Sequence, residues 1–284
     1  MASMRDIKRR KGSIQSTQQI TKAMKLVSTV KLQRARSRAE KSSEYFSSMY
    51  ATVNSILAKT KGMEHPYLNG KGTGKKAVIV MTSNRGLAGG YNSNIVKLIT
   101  SNFEAEDTYV YAVGKKGRDT LKRRGYEIVD DASEIVEEPA YADAMVLSKK
   151  LLESFEKGEI SEIYLAYTKF KNTVSHIPTL IRLLPVEVAE NSEEEVSQQA
   201  PMNFEMDEAE ALDLLIPKYV TSLIYGGLVE SAASENGARM QAMDSATGNA
   251  EEMISSLTLL YNRARQGSIT QELTEIIAGA NAIS

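Results

Sequence analysis

From Ser3 to about Lys59 the chain has no proline and, apart from Gly12, no strong helix breaker. Small and apolar residues recur there every third or fourth position: Ile7, Ile14, Thr17, Thr21, Met24, Ser28, Leu32, Ala35, Ala39, Ser42, Phe46, Met49, Val53 and Ile56, with Lys11 the one position that spoils the seam. A 3-4 pattern of that length specifies a coiled-coil helix, which at 1.5 Å per residue would reach on the order of 80 Å. The chain closes on a second pattern of the same kind, from about Asp207 to Ala282, with only Pro217 near its start. Its seam is Leu212, Leu215, Tyr219, Ser222, Gly226, Val229, Ala233, Asn236, Met240, Met243, Ala246, Ala250, Met253, Leu257, Leu260, Ala264, Gly267 and Gln271, with one stammer at Met240, Met243 and Ala246. Unbroken, it would span roughly 100 Å, so much of it is expected to project from any domain of this size. Small seam residues on both helices let two backbones approach, and the expected arrangement is an antiparallel, left-handed pair.

The segment between the helices has a different grammar. Gly62 to Gly74, with Pro66 and Asn69, reads as a connector. Beyond it, strand-like runs (Ala77 to Thr82, Thr108 to Val113, Tyr126 to Asp130, Glu162 to Thr168) alternate with helical ones (Asn92 to Phe103, Lys116 to Arg124, Ala140 to Lys157), and a hairpin follows around Thr173 to Val188. Alternation of this kind implies an open, largely parallel sheet. The expected fold is therefore α/β: a long antiparallel coiled coil of N- and C-terminal helices with an inserted Rossmann-like open α/β domain. The expected boundaries are 1–61 for the first helix, 62–206 for the α/β domain and 207–284 for the last helix.

Composition narrows the function classes. There is no cysteine, and His65 and His176 are too few and too far apart to suggest a metal site. No run of about 18 apolar residues exists and no apolar stretch follows the basic N-terminus, so neither a membrane span nor a signal peptide is expected. The net charge of −1 makes any electrostatic role a local one. Two regions are strongly biased. Between Glu187 and Asp213 there are ten acidic residues and no Lys or Arg, which reads as a solvated loop. Between Arg5 and Lys41 twelve basic residues face only Asp6 and Glu40, which makes either a solubilising face or a binding face for nucleic acid or an acidic protein surface. No aromatic residue is interleaved before Glu44, which weakens the case for single-stranded nucleic acid.

Two glycine-rich segments invite a nucleotide reading. Gly70-Lys-Gly-Thr-Gly-Lys-Lys has Asn69 where a P-loop needs its first glycine and Lys76 where it needs Ser or Thr, and it precedes a strand when it should follow one. Ser83-Asn-Arg-Gly-Leu-Ala-Gly-Gly-Tyr-Asn does follow a strand and opens a helix, the right place for an anion-binding turn. It lacks the dinucleotide glycine spacing and the P-loop lysine, so a structural tight turn is the better account.

Five segments together carry a family resemblance: Met4-Arg-Asp-Ile-Lys-Arg-Arg, Gln19-Ile-Thr-Lys-Ala-Met-Lys-Leu-Val, Ser83-Asn-Arg-Gly-Leu-Ala-Gly-Gly, Ala238-Arg-Met-Gln-Ala-Met-Asp-Ser-Ala-Thr and Tyr261-Asn-Arg-Ala-Arg-Gln-Gly-Ser-Ile-Thr-Gln-Glu-Leu-Thr-Glu-Ile. In that order, across nearly the whole chain, they resemble the γ subunit of bacterial F-type ATP synthases. The resemblance implies a non-catalytic central rotor shaft with no cofactor, coupling ion-driven c-ring rotation to ATP synthesis or hydrolysis at a hexamer of α and β subunits. Its foot would rest on the c-ring beside the ε subunit, peripheral to the cytoplasmic face of the cell membrane and not inserted in it, with no nucleic acid partner. It further implies that Arg265, Gln266 and Thr270 face β-subunit loops, with Met24 near them on the partner helix. Lys8, Arg9, Arg10, Lys25, Lys31, Arg34 and Arg36 would form a basic collar for acidic β-subunit segments. Phe204, Glu205 and Asp207 would meet the c-ring, although Met206 stands where the family commonly has proline. Lys11-Gly12 interrupts the seam where relatives continue it, which implies looser first turns. Two rival readings remain at this level: a coiled-coil protein that binds nucleic acid through its basic helix, and a nucleotide-binding enzyme built on the α/β domain.

Overall fold

A computed structural model describes residues 3–59, 65–70, 74–186 and 208–283. The first helix, α1, runs unbroken from Met4 to Lys59. The helix continues through Gly12, which is exposed with nothing near the position of a Cβ and costs the ordinary glycine penalty of about 1 kcal/mol relative to alanine. A four-residue helix, α2 (Pro66–Asn69), sits in the expected connector. There follow β1 (Lys75–Met81), α3 (Tyr91–Asn102), β2 (Thr108–Val113), α4 (Lys115–Arg123), β3 (Glu127–Asp131), a 3-10 turn (Ser133–Val136), α5 (Tyr141–Glu156), β4 (Ile160–Phe170) and β5 (His176–Leu184). The last helix, α6, runs from Glu208 to Ile283. The c-ring expectation at Phe204, Glu205 and Asp207, and the acidic stretch up to residue 207, lie outside the described residues.

The chain divides into two compact units, Thr29–Arg239 and Met1–Ser28 with Met240–Ser284, so the divisions fall inside α1 and α6. In the first unit the sheet has the order β3-β2-β1-β4-β5, with β1 parallel to β2 and β4, β2 parallel to β3, and β5 antiparallel to β4. The expected open, mostly parallel sheet with a terminal hairpin is what forms. Strand β1 is central, which is why Ala77 to Met81 is a continuous apolar run: Val78 and Val80 pack with Ile95 and Ile99 of α3 and Leu121 of α4, while Ala77, Ile79 and Met81 pack with Leu147, Leu151 and Phe155 of α5.

The second face is completed by α6. Leu212, Ile216, Val220, Ile224 and Leu228 form its apolar stripe, and the most apolar stretch of this helix is more than half buried, as in a core helix. Further along, side chains of α6 satisfy the end of β4: the Ser231 hydroxyl accepts from Thr168 N–H at 3.3 Å, Ser234 donates to Thr168 O at 2.9 Å, and a Glu230 carboxylate oxygen accepts from Phe170 N–H at 3.2 Å. Gly227 allows this approach, since a Cβ there would stand 3.0 Å from Leu165 Cδ2. Both histidines are packed rather than free surface residues. His65 is 6% exposed and caps α2, its Nδ1 accepting from Tyr67 N–H at 3.3 Å while Nε2 lies 3.2 Å from Asp213. His176 tilts against Phe170, and burial lowers its pKa.

Candidate functional site

The helix-pair unit is held in register by three polar contacts. Gln18 Nε2 donates to Glu251 Oε1 at 3.0 Å, the Thr21 and Thr247 hydroxyls meet at 2.8 Å, and Lys25 Nζ lies 2.6 Å from Asp244 Oδ1. The partners run in opposite directions, so the pair is antiparallel. These contacts revise the expected seam. On α1 the inward positions are Ile7, Lys11, Ile14, Gln18, Thr21, Met24, Lys25 and Ser28, whereas Thr17 is exposed. Lys11 therefore belongs to the seam, as one of a column with Gln18 and Lys25 at successive heptads. On α6 the less exposed positions beyond Ala250 are Ile254, Leu257, Thr258, Tyr261, Ala264 and Ser268; Met253 is exposed, and Leu260 and Gly267, though exposed, line the groove that faces Met4 and Ile7 of α1.

That register also fixes the coupling candidates. Arg265, Gln266 and Thr270 are exposed, and the Thr270 hydroxyl donates to Gln266 O at 2.9 Å. Met24 lies between Thr21 and Lys25, hence opposite Asp244 to Thr247, about five helical turns from Arg265. The expectation that Met24 neighbours Arg265 fails for this reason. Toward the ends of the pair an open groove of about 1220 Å³ is lined by Met4, Ile7, Arg9, Arg10, Leu257, Arg263, Ala264 and Gln271.

An unexpected feature is exposed apolar side chains: Ile20, Leu26 and Val27 on α1, Leu259 on α6, and Ile269, Leu273, Ile276 and Ile277 on the end of α6 that runs past the start of α1, each at least half exposed. Outer positions of a solvated coiled coil are polar, so this surface is suited to being covered. Their signal in the sequence is apolar residues off the seam.

The basic residues divide into two groups. Lys8, Arg9 and Arg10 are exposed, with Arg9 3.3 Å from Asp6, whereas Lys25 is engaged across the seam by Asp244. In the α/β unit Lys31 lies 3.4 Å from Glu137, Arg36 2.9 Å from Glu40, and Arg34 lines a cleft with Arg38.

The Ser83 to Asn92 segment closes on itself. Asn92 accepts from Ser83 N–H at 2.9 Å, Ser83 Oγ donates to Arg85 O at 2.6 Å, and Asn84 joins Ser133 O at 2.7 Å to Lys115 N–H at 3.1 Å. Leu87 and Gly89 take the left-handed turn, at φ 64° and 55°. The side chains of Ser83, Asn84 and Asn92 are committed to holding the turn, as a structural turn requires. Helix α6 grips this turn through Arg239, which reaches Gly86 O at 3.4 Å and pairs with Glu235 at 2.8 Å, both side chains being only 12% exposed. Burial raises the Glu235 carboxyl despite Arg239, and burial, with Glu235 nearby, raises the Tyr91 hydroxyl.

Against known proteins, a family model described as ATP synthase matches residues 3–283. The chain is 63% identical to an ATP synthase gamma chain of Lachnoclostridium phytofermentans, over 100% of both chains. It is 44% identical to the gamma chain of Alkaliphilus metalliredigens, over 99% of this chain and 98% of that one. It is 40% identical to a gamma chain described as sodium ion specific from Acetobacterium woodii, over 99% of each. Its fold resembles a chain of the Euglena gracilis mitochondrial ATP synthase OSCP/F1/c-ring structure, with a TM-score of 0.67 at 17% identity over 99% of this chain and 94% of that one. It also resembles a chain of the Tetrahymena thermophila mitochondrial ATP synthase central stalk and c-ring, with a TM-score of 0.57 at 24% identity over 80% and 99%.

Proposed function

This chain belongs to the ATP synthase γ-chain family, and from that membership we infer that it is the central rotor shaft of an F-type ATP synthase. It couples rotation of a c-ring to ATP synthesis or hydrolysis at a hexamer of α and β subunits, and is a subunit of a membrane-associated complex. The observation that carries this is the 63% identity to a γ chain over the full length of both proteins.

The physical basis of coupling is asymmetry. A helix pair with basic, apolar and polar faces presents a different surface to each of three β subunits. A β conformation that fits the face before it is favoured by the difference in contact free energy, and turning the shaft moves that preference to the next site. The chain itself is non-catalytic in this account: the polar side chains of its glycine-rich turn, Ser83, Asn84 and Asn92, hold the turn together, and its buried carboxylate Glu235 pairs with Arg239.

Arg265, Gln266 and Thr270 are proposed to meet β-subunit loops, where a guanidinium and an amide supply directed donors to carboxylates. Met24 would act at a separate level of the shaft, near Asp244. Lys8, Arg9, Arg10, Lys25, Lys31, Arg34 and Arg36 are proposed as the collar for acidic β segments. Phe204, Glu205 and Asp207 are proposed to meet the c-ring, with ε beside the α/β domain at the cytoplasmic face of the membrane. Affinity purification of the tagged chain from its own cells tests the assignment. The α, β and ε subunits and the c-ring should co-purify with it, and tight DNA binding without such partners would refute the assignment.

A further inference from the structure

Two glutamates between the 3-10 turn and α5, Glu137 and Glu138, stand against the basic face of α1 in the α/β unit. Glu137 lies 3.4 Å from Lys31 Nζ and 3.5 Å from Arg85 Nη2, so one carboxylate bridges α1 to the turn after β1. Lys31, Arg34 and Arg38, on successive turns, form one wall of a cleft of about 120 Å³, and Glu137, Glu138 and Pro139 contribute to the other. The acidic loop is anchored on both sides. Ser133 and Pro139 are buried, Asn84 donates to Ser133 O at 2.7 Å, and Ala140 N–H donates to Asp143 at 2.8 Å. An anchored acidic pair opposite three cations reproduces within one chain the charge pattern by which an acidic segment of another protein would bind those cations. The contact is also suited to exchange, since the Lys31 and Glu137 side chains are 47% and 48% exposed and water screens the pair.

We propose that the Glu137-Glu138 loop is a built-in competitor for the acidic partner segment, holding the Lys31, Arg34 and Arg38 face partly neutralised until that segment displaces it. This rests on the assignment of the basic face as a collar for acidic segments. The loop would set how strongly the collar attracts such a segment and allow it to be released as the shaft turns.

The test uses the full chain with immobilised poly-glutamate as the acidic probe, at low and high salt. Glu137→Gln with Glu138→Gln should bind the probe about two- to tenfold tighter at low salt, with the difference collapsing at high salt. Glu104→Gln with Glu106→Gln, which removes the same charge from elsewhere in the unit, should change binding much less. Lys31→Gln, Arg34→Gln and Arg38→Gln together should abolish most binding with or without the loop glutamates. Equal affinity of the loop variant and the parent, with binding still lost in the triple variant, would overturn the competitor and leave the collar standing. Undiminished binding by the triple variant would show that this face does not take the acidic probe, and would overturn the proposal together with the Lys31 and Arg34 part of the collar. Matching thermal melts of all variants exclude misfolding as the cause.

Discussion

Replacing Arg239 by methionine should cost the chain about 2–3 kcal/mol, and the cost should shrink on acidification. The Arg239–Glu235 pair is 2.8 Å long with both side chains 12% exposed, and Arg239 also reaches Gly86 O. Breaking a fully buried pair by removing one partner costs about 3–5 kcal/mol, because it strands the other charge; residual exposure of Glu235 places this case at or below the low end. Arg239→Met with Glu235→Leu removes both charges and should fall within about 1 kcal/mol of the parent, well below the sum of the two single-substitution costs. The pH dependence follows from Glu235. Its folded-state pKa is raised, so the folded chain holds a proton there that the unfolded chain releases, and stability from this group falls as pH climbs from the ordinary carboxylate range through the raised value. Loss of Arg239 raises that pKa further, and protonating the stranded carboxyl relieves the penalty. Urea unfolding followed by circular dichroism at pH 7.5 and pH 5 measures both effects. Additive costs of the single substitutions, or a deficit that is the same at both pH values, would refute the reasoning.

Three further outcomes are expected. Gly114→Ala should destabilise the α/β unit by about 3 kcal/mol or more in thermal melts, because Gly114 has φ 118° and a Cβ would come within 2.0 Å of Thr82 O, a backbone atom that cannot move aside. Lys25→Glu should weaken the helix pair by about 0.5–1 kcal/mol at low salt, and Lys25→Glu with Asp244→Lys should restore it; equal melting of the single and double variants would contradict the seam assignment. Arg265→Ala with Gln266→Ala should lower torque in a reconstituted complex while the isolated chain melts as before, and undiminished rotation against load would remove both residues from the coupling surface.

Much of the fold is legible because it rests on local periodicity. The central strand is an uninterrupted apolar run, and Thr108 to Val113 forms a strand with the expected bounds because polar residues flank it closely. The helix α2 is only four residues long and is held by a proline and a histidine cap, so no period announces it. The register of the helix pair is harder to read. A 3-4 repeat admits neighbouring stripes of similar apolarity, and the choice between Met253 and Ile254 depends on contacts such as Thr21 with Thr247 that lie far apart in sequence. The same distance hides the Arg239 grip on Gly86 and the role of Glu137 between Lys31 and Arg85, since charge alone does not reveal partners. The family motifs direct attention to Arg265, Gln266 and Thr270 but not to the exposed Ile269, Leu273, Ile276 and Ile277, which a seam-based analysis passes over.

The central claim is that this chain turns inside a hexamer. The absence of cysteine makes one attachment point easy to introduce, and Val174, 69% exposed in the β4–β5 hairpin, is suitable for Val174→Cys. With the α and β subunits immobilised and a bead bound to that thiol, ATP should drive stepwise rotation of the bead in one direction, and stopping the bead should stop turnover. ATP hydrolysis by the complex at full rate with the bead stationary would contradict the account.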